Sequence, residues 1–214
     1  MIDKIPSEKD LLFLREEIRR RLSPPRAEHS VSVELECAVI GKIEKLSETD
    51  ILFLRVSGLL HDLTREMPVE KHVALLREFR VDLPDDGVLS GAVLHQLTAP
   101  IVISVEYPAF CDPVVLDPIR THTTGDAHMS KAQKILFLAD MIEPKRKHRA
   151  CREMRTYYYT HVQEEGNLDR SVCMTLKGTI SHLLEIQSPI AAKTVSAYND
   201  ILQNSSLFER NEIK

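Results

Sequence analysis

An almost uniformly apolar segment that ends in two polar residues constrains the fold of this chain more than any other part of its sequence. Residues 51–60 read ILFLRVSGLL and are followed at once by His61 and Asp62. A helix that is apolar on nearly every side is buried, so it has to lie in the middle of a domain. An ionised aspartate at the end of such a helix is unfavourable unless it is paired or bound to a metal ion. The segment therefore predicts a central helix with a polar site at its end.

Capping and helix-breaking residues predict further helices along the rest of the chain. Ser7 is expected to cap a first helix with apolar positions 11, 12, 14 and 18, and Pro24–Pro25 to end it. We expect the other helices at about 27–46, 48–60, 68–80, 88–97, 112–122, 131–143, 147–163, 168–187 and 191–204. The run IVISV in 98–111 has the composition of a strand, but one isolated strand makes no sheet, so we expect it to be irregular or helical. The predicted fold class is an all-α bundle.

Length and composition favour a single domain and exclude several functional classes. A chain of 214 residues without a linker suits one domain, with an N-terminal helix in 1–25, the bundle in 26–204 and a disordered tail in 205–214. The net charge of −4 and the absence of tryptophan argue against a nucleic-acid partner. The sequence contains no run of 18 apolar residues, so it predicts no membrane span. The four cysteines form no CxxC pair, and with no signal peptide they indicate reduced thiols in a cytoplasmic protein.

The pair His61–Asp62 is accompanied by other potential metal ligands on separate predicted helices. Taken alone, such a pair is more often a core histidine beside a capping aspartate. Here Asp140 again follows an apolar helical run, and three histidines lie in short distinctive settings, at positions 29, 95 and 122. Metal sites in helical bundles are assembled from one or two ligands on each of several helices. Mixed imidazole and carboxylate ligands suit iron, manganese, cobalt, nickel or zinc better than magnesium or calcium. We expect the other histidines, at 72, 128, 148, 161 and 182, on the surface.

The order of these residues, H…HD…D with each element on its own helix, resembles that of the HD-domain superfamily of metal-dependent phosphohydrolases. A narrower resemblance is to the YqeK family of symmetrical bis(5'-nucleosyl)-tetraphosphatases. It rests on R-x-x-H at 26–29, LLHDLTR at 59–65, HTTG at 122–125, ILFLADMIEPKR at 135–146 and KTVSAYN at 193–199. The resemblance covers residues 26–200. It implies an HD-domain helical bundle that uses iron to hydrolyse diadenosine tetraphosphate to two ADP, and it implies a homodimer.

The resemblance also implies roles for individual residues. The principal metal ligands would be His29, His61, Asp62 and Asp140, with iron as the metal and manganese, cobalt or another divalent transition metal as alternatives. His95 and His122 would complete a second metal position or contact substrate phosphates, and the sequence leaves these two roles open. Asp62 or Asp140 would take the proton from a metal-activated water. Substrate phosphates would be held by Arg26, Arg65 and Arg146, by the hydroxyl group of Thr123 and by the backbone N–H of Gly125.

Two positions depart from the usual pattern of the family, and two alternative functions stay open. Gln96 stands where a glycine usually follows the histidine, and Arg65 stands where lysine is usual. The alternatives are a phosphohydrolase of the same type acting on another nucleotide, and a nucleotide-binding regulator with little turnover. The basic run at 145–149 is expected to be a solvated helix start, and the tyrosines at 157–159 to serve packing.

Overall fold

The computed structural model describes residues 5–204. They contain ten α-helices and one short 3-10 turn, joined by loops. The helices are α1 (Glu8–Arg21), α2 (Pro24–Ile43), α3 (Glu48–Leu60), α4 (Val69–Glu78), α5 (Gly91–Glu106), α6 (Pro113–Thr121), α7 (Lys131–Ile142), α8 (Arg149–Thr160), α9 (Asn167–Glu185) and α10 (Ala192–Asn204), and the 3-10 turn is Pro108–Phe110. The described residues contain no β-strand, which confirms the all-α prediction. The tail expected at 205–214 lies outside them. No helix within 5–204 combines the length and the apolarity that a membrane crossing needs.

Helix starts follow the capping residues that the sequence indicated. The side chains of Ser7 and Ser130 each accept a hydrogen bond from the backbone three residues on and complete a capping box. Asp112 caps α6 by accepting a hydrogen bond from the backbone N–H of Val114, at 3.0 Å. Pro24 and Pro25 not only follow α1 but open α2, because the first helical positions need no N–H donor.

Helix α5 is longer than expected. It continues through Pro100 to Glu106, so the predicted end at 97 is wrong and the segment 98–106 is helical. A proline inside a helix removes one backbone hydrogen bond. Ala99 and Ile103 are fully buried on either side of Pro100, and this apolar burial favours the continuous helix.

Helix α3 lies at the centre of the bundle, as its apolar sequence predicted. It packs against α1, α2, α6 and α7, and Leu59 and Leu60 at its end are fully buried. Gly58 allows α2 to approach closely, since a Cβ atom at this position would lie 2.9 Å from the Cα atom of Glu34. The close contact fixes the end of α3, and with it His61 and Asp62, against α2.

A buried ion-pair network attaches α1 to this centre. The side chain of Glu34 is fully buried, and its two oxygens contact Arg15 at 2.6 Å and Arg55 at 2.7 Å. A buried carboxylate without such partners would be strongly destabilising. The two arginines, on α1 and α3, therefore hold both helices to α2.

One expected surface histidine is in the core. His72 on α4 is fully buried, and its Nδ1 atom lies 2.8 Å from the hydroxyl oxygen of Thr98 on α5. The surface prediction was wrong for His72 because the face of α4 that carries it, together with Leu76, packs on α5. The polar neighbours of His72 in the sequence lie on the opposite face and gave no sign of this contact.

We predict that Gly58→Ala lowers the free energy of unfolding by about 1–3 kcal/mol, because its methyl group would overlap the backbone of α2. Gly178→Ala is the matched control. Its Cβ atom would meet no neighbouring element, so it should stabilise α9 by up to about 1 kcal/mol. Denaturant unfolding of the two variants measures the difference. A Gly58→Ala protein as stable as the wild type would contradict the close packing of α2 and α3.

Candidate metal centre

The six residues expected to bind metal meet at one place in the bundle. They are His29 on α2, His61 and Asp62 directly after α3, His95 on α5, His122 directly after α6 and Asp140 on α7. The Nε2 atom of His29 lies 2.9 Å from Asp140, that of His61 lies 3.3 Å from Asp62, and that of His95 lies 3.2 Å from Asp62. Residues far apart in the sequence thus present four imidazole nitrogens and two carboxylates to a common centre.

Within the centre, two groups of three ligands have the spacing of a metal site. Atoms of His29, His61 and Asp140 lie within 4.8 Å of one another, and so do atoms of His61, Asp62 and His122. His61 is shared by both groups. The two oxygens of Asp62 face different histidines, since Oδ2 is near His61 and Oδ1 is near His95. The arrangement has room for one ion or for two adjacent ions that share ligands.

Local helix geometry fixes the orientation of three of the imidazole rings. His61 and His122 each follow the last turn of a helix, and their Nδ1 atoms lie 2.7 Å from the carbonyl oxygens of Gly58 and Ile119. Such carbonyl groups at a helix end have no partner inside the helix and accept hydrogen bonds from nearby side chains. In α5, the Nδ1 atom of His95 lies 3.0 Å from the carbonyl oxygen of Gly91. Each ring therefore donates through Nδ1 and presents Nε2 to the centre.

The donor atoms fit a bound cation. A ring whose Nδ1–H donates a hydrogen bond has an unprotonated Nε2, which is the form that binds metal. The Nε2 atom of His61 is buried and has no hydrogen-bond partner among residues 5–204. The Nε2 atoms of His95 and His122 are only 2.8 Å apart, and two unprotonated nitrogens repel each other at this distance without a shared proton or cation. Mixed nitrogen and oxygen donors suit a transition-metal ion.

The two aspartates of the centre favour a positive charge beside them. Burial alone would raise the pKa values of Asp62 and Asp140, but the facing histidines and Arg146 hold both well below the ordinary range. Burial likewise opposes protonation of His29, yet its contacts with Asp140 and Glu143 raise its pKa to about 9. Burial, together with the neighbouring histidines, lowers the pKa of His122 to about 3, so this ring is neutral at pH 7.

Glu143 contacts the centre, and the sequence analysis did not assign it a role. It is almost completely buried, and its Oε1 atom lies 3.1 Å from Nδ1 of His29. Burial would raise its pKa, but hydrogen bonds from His29 and Ser32 lower it, so the carboxylate is ionised. A carboxylate behind a metal-binding histidine fixes the ring and increases its basicity. The available signal was its position three residues after Asp140, since residues three apart lie on one face of a helix.

Gln96, the departure from the family pattern, supports the turn that follows His122. Its side-chain oxygen accepts hydrogen bonds from the backbone N–H groups of Thr123 and Thr124, both at 3.2 Å, and its nitrogen donates to the hydroxyl group of Thr124 at 2.9 Å. Gln96 is 1% exposed. The hydroxyl oxygen of Thr123 consequently lies 3.1 Å from Nε2 of His122, inside the centre.

Three arginines surround the opening of the centre. Arg26 contacts Asp62 at 2.6 Å and Arg146 contacts Asp140 at 2.5 Å. Together with Arg65 they line a pocket of 220 Å³, whose other lining residues are Asp62, Ala92, His95, His122, Thr123 and Asp140. The pocket thus combines potential metal ligands with cations that suit an anionic ligand.

The role expected for Gly125 needs correction. Its backbone N–H already donates to the carbonyl oxygen of Thr121, at 2.8 Å, so it is not available to a substrate phosphate. Gly125 has a φ of +68°, and a Cβ atom there would lie 2.9 Å from the Cβ atom of Ala197 on α10. Glycine is favoured here because the turn has a positive φ and because α10 leaves no space for a side chain. These two reasons explain the glycine of the HTTG segment, and no substrate contact is needed to explain it.

We predict that Gln96→Leu lowers the free energy of unfolding by about 1–3 kcal/mol, because two buried N–H groups lose their acceptor. Gln163→Leu is a matched control on an exposed loop residue and should change stability by less than about 0.5 kcal/mol. Thermal unfolding of both variants provides the comparison. If Gln96→Leu melts with the wild type, the amide does not hold the turn.

The chain is similar in sequence to two curated bacterial proteins of the same name. The chain is 28% identical over 182 residues to the symmetrical bis(5'-nucleosyl)-tetraphosphatase of Staphylococcus aureus, covering 85% of this chain and 89% of that protein. It is 29% identical over 185 residues to the protein of the same name from Halalkalibacterium halodurans, covering 86% of this chain and 93% of that protein. No protein-family model matches the chain.

Among solved structures, a predicted HD superfamily hydrolase from Clostridium acetobutylicum, described as involved in NAD metabolism, superimposes with a TM-score of 0.81. It is 24% identical, and the superposition covers 94% of this chain and all of that one. The similarity confirms the predicted HD-domain bundle. The chain therefore has the fold of that HD superfamily hydrolase and is similar in sequence to two bacterial symmetrical bis(5'-nucleosyl)-tetraphosphatases.

Proposed function

We propose that this protein is a metal-dependent phosphohydrolase that splits diadenosine tetraphosphate at its central anhydride bond and releases two ADP. The observation that carries the proposal is the convergence of four histidines and two aspartates on one centre, beside a pocket lined by three arginines. The relatives named symmetrical bis(5'-nucleosyl)-tetraphosphatase, which match along most of this chain, support the substrate and the position of cleavage.

In this proposal His29, His61, Asp62 and Asp140 hold the metal ion. His95 and His122 either complete a second position or contact the substrate phosphates. A bound transition-metal ion lowers the pKa of a coordinated water towards neutrality and offsets charge on phosphoryl oxygens. The mixture of imidazole nitrogen and carboxylate oxygen suits a divalent transition metal. We propose iron because the resemblance implies it, with manganese, cobalt or another divalent transition metal as alternatives.

The two aspartates differ in their access to water. The side chain of Asp140 is 20% exposed and lines the pocket, whereas that of Asp62 is 4% exposed and lies among the histidine rings. A general base has to lie within hydrogen-bond reach of the water it deprotonates. Asp140 is therefore the better placed of the two to accept the proton of the attacking water, and Asp62 is the better enclosed as a ligand.

In this proposal the arginines hold the polyphosphate beside the centre. Arg26 is fixed beside Asp62, and Arg146 beside Asp140, so their guanidinium groups are oriented before substrate binds. A guanidinium group can contact two oxygens of one phosphate at once. Arg65 keeps the positive charge that the family usually supplies with lysine, and its planar group suits phosphate equally well. Contacts on both sides suit cleavage between the second and third phosphates.

The expected homodimer rests on the resemblance alone, and the expected cytoplasmic location rests on the cysteine pattern and the absence of a signal peptide. We keep both as proposals. Light scattering of the purified protein measures its mass and tests the homodimer.

We predict that protein purified without air, and supplied with reduced iron or manganese, converts diadenosine tetraphosphate to ADP alone. Chromatography of the products against nucleotide standards measures this directly. Release of ATP together with AMP would contradict cleavage at the central bond. A panel of other nucleotides, assayed with the same preparation, tests whether another substrate is preferred. Thermal stabilisation by ADP without hydrolysis of any nucleotide would instead indicate the regulator.

We predict that Asp62→Ala loses both bound metal and hydrolytic activity, because it removes the carboxylate that faces His61 and His95. Asp117→Ala is the matched control, since Asp117 is exposed on α6 and pairs only with Arg120 among the described residues. Metal content by elemental analysis and nucleotide hydrolysis are measured on both proteins. If Asp62→Ala keeps its metal and its activity, the centre lies elsewhere.

A further inference from the structure

A second cavity lies beside the metal centre, in the groove between α8 and α9. Its volume of 870 Å³ is large enough for a small organic ligand. Its apolar lining includes Met141, Cys151, Met154, Tyr157 and Met174. Met174 is 42% exposed, so part of the apolar wall is uncovered. Threonine and serine hydroxyl groups of α9 add polar atoms to the lining, at positions 175, 179 and 181.

This groove, which we call the α8–α9 groove, is joined to the catalytic pocket through shared residues. Arg146 lines both cavities and contacts Asp140 at 2.5 Å. Met141 directly follows Asp140 in α7, lines the groove, and lies 3.8 Å from the sulfur of Cys151. A phosphate held by Arg146 would therefore have the groove on one side and the metal ligands on the other.

Gly178 lies at an open position on the wall of the groove. It lies inside α9, where glycine is unfavourable compared with alanine. A Cβ atom at this position would meet no atom from other parts of residues 5–204 within 4 Å. Gly58, also inside a helix, differs because the backbone of α2 would be in the way of its Cβ. Packing therefore explains Gly58 but not Gly178, which faces only the groove.

We propose that the α8–α9 groove binds the nucleoside of one half of the substrate, with Arg146 holding the attached phosphates. The proposal rests on the proposed function and adds the position of the base. A purine has two apolar faces and a polar edge, and such ligands bind in cavities that are mainly apolar with a few polar groups. Methionine side chains adapt in shape and make favourable contacts with aromatic rings. Of the three adjacent tyrosines, Tyr158 and Tyr159 donate hydrogen bonds to buried or half-buried glutamates as expected for packing, and Tyr157 forms part of the groove wall.

The test compares the effect of each variant on two ligands: ADP, and inorganic tripolyphosphate, which has one phosphate more than ADP and no nucleoside. Binding of each to the metal-loaded protein is measured by calorimetry. Gly178→Phe should weaken ADP binding roughly tenfold, because its ring fills the groove, and should leave tripolyphosphate binding within about twofold. Leu184→Phe is the matched control, because Leu184 is exposed on α9 but does not line the groove, and it should leave both affinities close to those of the wild type. Unchanged tripolyphosphate binding shows at the same time that the phenylalanine variant is folded.

A second variant keeps the test independent of the phenylalanine side chain. Met174→Ala shortens an exposed side chain and should weaken ADP binding roughly fivefold without affecting tripolyphosphate. Unchanged ADP affinity in both variants would overturn the proposal. A change in the mass of Gly178→Phe, measured by light scattering, would also overturn it, because the groove would then be an interface between two copies.

The outcome for the groove is separable from the outcome for the proposed function. If the wild-type protein cleaves no diadenosine tetraphosphate, the proposed reaction fails, while ADP binding still shows whether the groove holds a nucleoside. If the wild type cleaves the substrate but both groove variants bind ADP normally, the reaction stands and the position of the base is wrong.

Discussion

The attraction of two carboxylates for a positive charge is the constraint on which the centre of this protein depends. Asp62 is buried and Asp140 is partly exposed, both are held ionised, and four imidazole rings and two arginines lie around them. Buried charges of one sign destabilise a fold unless cations offset them. The arginines offset part of the charge from the side of the pocket. A metal ion would offset the rest, and it would also occupy the place to which the free nitrogens of the histidines point.

Several helices of the bundle contribute polar residues to this one place, either from within the helix or directly after its end. The apolar α3 brings His61 and Asp62 to the centre because its other sides are buried, and the absence of a side chain at Gly58 lets α2 carry His29 close to them. The carbonyl groups at the helix ends then fix the rings of His61 and His122. The same backbone features that terminate these helices thus orient the ligands, and no separate loop is needed for the purpose.

The helices could be predicted because their signals are local, and the candidate ligands could be named from their positions beside apolar helical runs and from the resemblance. Capping residues such as Ser7 and Ser130 mark helix starts by short-range hydrogen bonds, and polar residues after apolar runs mark Asp62 and Asp140. The supporting contacts could not be predicted in this way, because they join residues distant in the sequence. Gln96 and Glu143 gain their roles only when α5 meets the HTTG turn and α7 meets α2. The burial of His72 and the packing of Gly125 on α10 depend on tertiary contacts in the same way.

Anomalous X-ray diffraction at the iron absorption edge, from crystals grown without air, tests the central claim most directly. The account predicts a strong anomalous peak within bonding distance of the Nε2 atoms of His29 and His61 and of carboxylate oxygens of Asp62 and Asp140. An equivalent peak at the edge of manganese or cobalt would keep the centre and change the metal. The absence of any peak among these four residues, in crystals of protein that hydrolyses diadenosine tetraphosphate, would contradict the account.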